Sequence, residues 1–410
     1  MKLLTISTLY PNASDPKHGI FVETRLRHLR EKYPDVKVTV IAPVPWFPFK
    51  HQRFGQYAKF ASVPYFEQRH GISIYHPRYI VIPKVGMNMT PITLQACIDR
   101  QLSLLVRHGF NFDLIDGHYF YPDGVAIAAI ANKWKKPFTV TARGTDINLI
   151  PQFHKPLKKI QDVFHKSNHN LAVCEALRQE MILNGADPAK VTASRNGVDL
   201  TLFPFTPKHA QFDLRKKMQL PVDKPIFISV GLLTERKGHH LIIDAMKSHP
   251  DATLLIAGTG PDKKALESQV QANGLSTQVR FLGGVDQSVL ADYFGASDAS
   301  ILASNREGWA NVLLESMACG TPVIATKIWG TPEVVKSPEA GILINRHSQA
   351  ISAAMEQILC SPPNRTKTRQ YAEQFSWDET STQLYTLFNT ILSPSAYAHK
   401  HTATHKEETS

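Results

Sequence analysis

Short apolar, β-branched runs alternate with helical patterns along almost the whole chain. In the first half, runs at 3–7, 36–42, 72–75, 114–116, 138–142 and 171–173 predict strands, and helices over 21–31 and 123–133 fill gaps between them. The second half repeats the rhythm more tightly. Strands are predicted there at 226–230, 253–257, 279–282, 300–303, 323–325 and 342–344, and helices at 241–247, 263–273, 288–294 and 312–319, with Gly or Pro at the turns. Strands separated by helices make parallel sheets covered on both faces. The expected fold is therefore α/β, with two Rossmann-like, doubly wound parallel-sheet domains in succession. The proline-punctuated stretch Phe203-Pro204-Phe205-Thr206-Pro207 predicts the boundary, giving domains at 1–205 and 206–374. Residues 393–410 hold no large aliphatic side chain and predict a disordered tail, in which His399, His401 and His405 read as solvated histidines ahead of a metal site.

At roughly 150 residues per domain, 410 residues fit two or three domains. A chain that is 43% hydrophobic and 20% charged can bury full-sized cores, which excludes a disordered protein. The longest near-unbroken apolar stretch, 124–131, falls far short of the ~20 residues of a membrane span, and no signal-peptide pattern follows the single N-terminal lysine. Cys97, Cys174, Cys319 and Cys360 lie far apart with no metal spacing, so reduced, mostly buried thiols and a cytoplasmic location are expected. The net charge of +11 sits wholly in the first half: residues 1–205 hold 26 Lys+Arg against 15 Asp+Glu, and residues 206–410 hold 20 of each. Such asymmetry points the first domain toward an anionic partner, with solvated lysines as the plainer alternative.

Several motifs are absent: a G-x-x-x-x-G-K-[ST] phosphate loop, H-E-x-x-H, a G-x-S-x-G elbow, and any D-x-D that would clamp a metal–diphosphate. Gly258-Thr259-Gly260 follows a predicted strand, but Lys263 replaces the third glycine of a dinucleotide fingerprint. His165 and His169 have helical i,i+4 spacing without a third ligand and read as surface histidines. The richest segment runs from Arg306-Glu307-Gly308-Trp309-Ala310-Asn311-Val312-Leu313-Leu314-Glu315 to Cys319-Gly320-Thr321-Pro322. A strand feeds a glycine-containing turn, and Asn311 is expected to cap the helix that carries Glu315. Free amides and the positive dipole end at such a helix start suit a diphosphate. A carboxylate one turn further in suits a ribose diol, and Glu307, before the turn, would face whatever the phosphate carries.

This segment resembles the E-x7-E region of the retaining glycosyltransferases of family 4, the group 1 sugar transferases of GT-B fold, and the resemblance covers nearly the whole chain in order. Tyr10-Pro11-Asn12 through Lys17-His18-Gly19-Ile20-Phe21-Val22 is similar to the family's first loop and helix. His118 stands where the family has an active-site histidine, and Thr141-Ala142-Arg143-Gly144-Thr145-Asp146 resembles its His-Gly-x-Asp segment. Arg195-Asn196-Gly197-Val198-Asp199 resembles the interdomain motif, Val230-Gly231 through Arg236-Lys237-Gly238 the phosphate loop, and Phe281-Leu282-Gly283-Gly284-Val285 the loop that holds the base. Phe375-Ser376-Trp377 with the helix to 392 resembles the element that crosses back onto the first domain. Two positions depart from the pattern: Leu232 replaces an arginine after Gly231, and Arg143 replaces a histidine.

The resemblance implies two domains facing across a cleft and transfer of a sugar from a nucleotide diphosphate, UDP ahead of GDP, to an acceptor hydroxyl with retention. No metal or cofactor is implied. It assigns catalysis to His118, Lys237, Arg236 and Glu307. Donor binding falls to Gly19, Arg143, Asn196, Gly231, Gly260, Gly284, Val285, Asn311, Val312, Leu313 and Glu315. A nucleotide-sugar epimerase or hydrolase of the same fold, or more remotely a basic nucleic-acid-binding protein, remains the alternative; no nucleic-acid motif accompanies the charge. The acceptor is expected to be a glycan or lipid-linked, in building bacterial surface or exported polysaccharide. The aromatic and basic run at 43–60, with Trp46, Lys50 and Arg53, suits an anionic membrane surface and a peripheral place on its inner face; packing onto the domain is the plainer reading.

Overall fold

The computed structural model describes residues 1–81 and 86–393. The expected tail, with its three histidines, lies outside the described residues beyond Ser393. The chain divides into two compact units, one comprising Met1–Arg195 with the segment from Asp378 on, the other Asn196–Trp377. The division thus falls ten residues before the expected boundary at 205. The reason is backbone pairing within the second unit: Val198 N–H donates to Phe375 O at 2.9 Å and Thr206 N–H to Cys319 O at 3.2 Å, and Phe203 is buried there.

The first unit is built on a sheet ordered Val191–Ala193, His169–Ala172, Phe138–Ala142, Leu114–His118, Lys2–Ile6, Lys37–Ile41, Ile72–Tyr75, Phe66–Arg69, parallel except for the final hairpin. Leu114–His118 and Phe138–Ala142 are buried at every position, as strands covered on both faces must be. Strands 66–69 and 191–193, too short or too polar to stand out in the sequence, extend its two edges. A separate two-stranded ribbon pairs Val44–Pro45 with Arg78–Tyr79. The closing helix, Trp377–Leu392, sends Leu384 and Phe388 into the core formed by Leu3, Val22, Leu26, Leu29 and Val40.

In the second unit, all-parallel strands run Val279–Gly283, Thr253–Ala257, Ile226–Val230, Ala299–Leu302, Val323–Thr326, Gly341–Ile344. The strand order, third-second-first-fourth-fifth-sixth, is that of a doubly wound sheet whose winding reverses between Ile226–Val230 and Ala299–Leu302. In the first unit it reverses between Lys2–Ile6 and Leu114–His118. Ligands of such sheets bind beyond the carboxyl ends of the strands at these reversals.

Candidate active site

The loop after Ile226–Val230 begins at Gly231 and closes with a short turn, Glu235–Lys237. Its cations meet the residues that follow Ala299–Leu302, across the reversal point. Lys237 Nζ lies 2.5 Å from Glu307 Oε1, which also accepts from Ser304 Oγ at 2.6 Å. Arg236 Nη1 donates to Arg306 O at 2.6 Å and lies 3.5 Å from Glu307 Oε1. Burial pushes the Glu307 carboxyl up, but Lys237, Ser304 and Arg236 together outweigh it and hold the group below its ordinary range. Glu307 is therefore a carboxylate at neutral pH. Arg236 is one-third exposed where Lys237 is nearly enclosed, which makes Lys237 the better-fixed cation.

Glu315 stands one turn into helix Asn311–Ala318. Its carboxyl has no hydrogen-bond or ion-pair partner among the described residues, and desolvation pushes it up to about 7. The expected cap is corrected: Ala310, not Asn311, precedes the helix, and no side chain caps it. Asn311 is the first helical residue, and its Oδ1 accepts from Asn196 Nδ2 at 3.1 Å. Leu313 is fully buried with its amide on Ala310 O at 3.0 Å, so the free amides expected at Val312 and Leu313 do not include that of Leu313.

Two neighbouring loops support this corner. Gly231 N–H donates to Ala257 O at 3.0 Å, Leu233 N–H to Thr259 O at 2.9 Å, and Gly258 N–H to Gly283 O at 2.7 Å. The Gly258-Thr259-Gly260 turn thus carries the 231–237 loop on one side and the loop bearing Gly284 and Val285 on the other. His239, buried directly after that loop, faces Ser229 Oγ at 3.0 Å through Nδ1; burial holds its ring down at about 4, so it is neutral. A cavity of about 570 Å³ opens at the other ends of these strands, lined by Lys208, Lys224, Pro322 and Arg365, and contains none of the residues above.

The first unit assembles a second cluster. Gly19, at φ 65°, starts helix Ile20–Lys32 where a Cβ would lie 2.3 Å from the Leu9 carbonyl carbon, so the loop after the first strand closes against backbone. Thr8 donates to Asp123 from its amide (2.6 Å) and hydroxyl (2.9 Å). His118 ends its strand fully buried, Nδ1 2.8 Å from Arg143 Nη2 and Nε2 3.1 Å from Asp116 Oδ2. Asp146 accepts from the amides of Phe120, Arg143 and Gly144 at 2.9, 3.1 and 2.8 Å, which fixes the turn bearing Arg143. Arg25, in the middle of helix Ile20–Lys32, is 1% exposed and faces this cluster with one contact of 3.5 Å to Thr141 Oγ1.

Arg25 and Asp116 were not among the residues expected at the site. Arg25 had a signal: it falls on the stripe Val22, Leu26, Leu29 that the helix buries. Asp116 had a weaker one, a carboxylate inside an apolar strand. His165 and His169 prove not to share a helix. His165 lies in the last turn of His154–Lys166, while His169 opens a strand and pairs with Thr192 Oγ1 at 2.8 Å. Cys174 and Cys319 are buried, Cys97 is half-buried and Cys360 exposed, all free. Among the described residues no group of three His, Cys, Asp or Glu is placed to hold a metal ion, and no helix is long and apolar enough to cross a membrane. Trp46 is 56% exposed, and Lys50 and Arg53 are exposed beside it.

The model described as "Glycosyltransferase Family 4" matches residues 19–202, and that described as "Glycosyl transferases group 1" matches residues 210–375. The putative teichuronic acid biosynthesis glycosyltransferase TuaC of Bacillus subtilis is 28% identical over 359 residues, covering 87% of this chain and 88% of its own. A D-inositol 3-phosphate glycosyltransferase of Jonesia denitrificans is 27% identical over 75% of this chain and 79% of its own. Among solved structures, sucrose-phosphate synthase of Thermosynechococcus elongatus superposes with a TM-score of 0.79 at 19% identity, over 96% of this chain and all of that one. Anabaena HepE in complex with UDP superposes at 0.74 and 20% identity, over 95% and 100%. With both family models matched in order, each on its own parallel-sheet unit, the chain belongs to the family 4 (group 1) glycosyltransferases of GT-B fold.

Proposed function

We propose that the protein moves a sugar from a nucleoside diphosphate, UDP ahead of GDP, to an acceptor hydroxyl with retention and without a metal. The observation that carries this reading is the pair Glu307 and Glu315 around the start of helix Asn311–Ala318. One carboxylate is ionised against Lys237, and the other is half-buried with no protein partner among the described residues. A desolvated acceptor without a donor gains from a ligand that supplies one, and a ribose diol does. In the transfer, the acceptor oxygen bonds to the sugar's anomeric carbon as the bond to the diphosphate oxygen breaks, and the acceptor proton passes to the departing diphosphate. Lys237, Arg236 and the helix start meet the charge that grows there. Glu307 would hold the sugar's hydroxyls. The structure of Anabaena HepE with UDP, and the name of the Bacillus relative, support a uridine donor and a role in surface polysaccharide.

Glu315→Ala should weaken binding of a UDP-hexose by about 1–3 kcal/mol in calorimetry, the scale of an unpaired buried partner. Because the free carboxyl sits near 7 and only its ionised form accepts from both diol hydroxyls, affinity in the parent should rise roughly tenfold from pH 6 to pH 8, and Glu315→Gln should flatten that rise. Unchanged affinity in both variants would remove Glu315 from the site. Turnover should persist in EDTA; abolition by the chelator with rescue by Mg²⁺ or Mn²⁺ would contradict metal independence.

The reading extends to the acceptor side. The ribbon of Val44–Pro45 and Arg78–Tyr79 brings two distant segments together: Trp46 N–H donates to Tyr79 O at 2.7 Å, and Thr93 Oγ1 to Ile80 O at 2.8 Å. Trp46, Phe49, Ile80, Met89 and Ile92 are all about half exposed, with Lys50, Arg53 and Lys59 exposed among them. Neither 44–66 nor 86–98 contains a carboxylate. Apolar side chains interleaved with unopposed cations fit the headgroup layer of an anionic bilayer, and so a lipid-linked acceptor. Salt-sensitive sedimentation with anionic vesicles is expected, weakened by Trp46→Ala combined with Lys50→Glu and Arg53→Glu while UDP-hexose binding stays intact. Equal sedimentation with neutral vesicles, or none with either, would return the segment to ordinary packing.

A further inference from the structure

Arg143 is the residue at which the first unit departs from the family's histidine, and its surroundings give it a definite task. The guanidinium is half-buried, stacked over Phe21 at 5.0 Å, with Nη2 2.8 Å from His118 Nδ1. A guanidinium has only donors, so Nδ1 must accept. A neutral imidazole that accepts through Nδ1 carries its proton on Nε2, and that atom lies 3.1 Å from Asp116 Oδ2, which when ionised only accepts. The Arg143 contact therefore sets the tautomer, and Asp116 faces Nε2 as a nearby charge without hydrogen-bond geometry. Arg25 adds its charge from helix Ile20–Lys32, with Nε and Nη2 buried and without a hydrogen-bond partner among the described residues. The charged groups facing the ring are therefore Asp116 on its own strand, Arg143 at the end of the adjacent strand and Arg25 on the helix, with Asp146 held to the Arg143 amide.

We propose that Arg143 is a positioning residue that locks His118 in the Nε2–H tautomer, with the proton turned toward the Asp116 carboxylate, so that the ring serves as a fixed dipole. A histidine at 143 can accept as well as donate and would leave both tautomers of His118 open; arginine removes that choice. Protonating His118 would also set two N–H groups against each other at the Nδ1 contact. Burial acts in the same sense, followed by the two cations against the pull of Asp116, and the ring is held down at about 4. A ring so placed does not exchange the acceptor's proton near neutral pH. This assignment concerns the first unit alone and stands whether or not the proposed donor is correct.

The test is ¹⁵N spectroscopy of histidine-labelled full-length protein, with His118→Gln identifying the resonances. The parent should show His118 with a protonated Nε2 and a bare Nδ1, unchanged from roughly pH 5.5 to 8.5. Arg143→Lys, which keeps a donor, should preserve that signature. Arg143→Met should give mixed tautomers, and Arg143→His should add an inflection between about pH 5 and 8 to both the His118 shifts and the pH profile of turnover. A parent spectrum with the proton on Nδ1, or an Arg143→Met signature identical to the parent's, overturns the proposal. The parent spectrum decides the tautomer even if a variant fails to fold.

Discussion

Replacing Lys237 with alanine should lower turnover roughly 10²–10³-fold, the scale for losing one positioned donor to charge that develops in the transition state. The geometry favours Lys237 over its neighbour: its ammonium is 2.5 Å from Glu307 and only 14% exposed, whereas Arg236 spends its close contact on the Arg306 carbonyl and is 34% exposed. Arg236→Ala should therefore cost less, and the reverse order would show that the clamp is assigned backwards. A second readout separates lost catalysis from lost structure. Glu307 titrates below its ordinary range in the folded protein, so its ionisation contributes stability that is present above the unfolded carboxyl's pKa and lost as pH falls through the folded one. Without Lys237 the buried carboxylate keeps only Ser304 and the more distant Arg236, so its folded pKa must rise and acid unfolding should begin at higher pH. Loss of turnover with an unchanged acid-unfolding midpoint would mean that the pair seen here is not formed in solution.

Much of this was legible in the sequence, for a physical reason. Strands buried on both faces read as continuous apolar runs, and these placed Leu114–His118, Phe138–Ala142 and Ile226–Val230 within a residue or two. Edge strands such as Phe66–Arg69 carry no such run, because one side faces solvent. The second-unit site was readable because its residues lie in two short stretches, 231–238 and 304–315, that flank the reversal of winding. The first-unit cluster draws Arg25, Asp116, His118 and Arg143 from three elements far apart in sequence. Arg25 is one of three arginines in its helix, and only its place on the buried stripe sets it apart. Asn311 shows the opposite error: an excellent capping residue type stands one position too late, and its Oδ1 accepts from Asn196 Nδ2 instead.

Gly260→Ala should damage the second-unit site, because the turn it closes rests on backbone. A Cβ there would lie 2.3 Å from Leu233 O and 2.6 Å from Leu233 N, in a loop zipped to its neighbour by Leu233 N–H to Thr259 O (2.9 Å) and Asp262 N–H to Leu233 O (3.1 Å). Backbone cannot swing aside as a side-chain tip can, so the methyl must push the 231–237 loop outward or break those two bonds. Overpacking of this kind costs about 1–3 kcal/mol, which in a domain of this size lowers the melting temperature by roughly 2–10 °C. The functional loss should be larger than the structural one. Lys237 rides on the displaced loop, and a misplacement on the order of 1 Å at a positioning group lowers rate about 10²-fold. Gly284 supplies the control, since a Cβ there meets only Thr259 Cγ2 at 3.6 Å, an ordinary contact. Gly284→Ala should melt with the parent, and Gly260→Ala should melt lower and lose at least tenfold in turnover at temperatures where it is fully folded. If Gly260→Ala keeps parental turnover and melting, the loop is not held by this backbone contact.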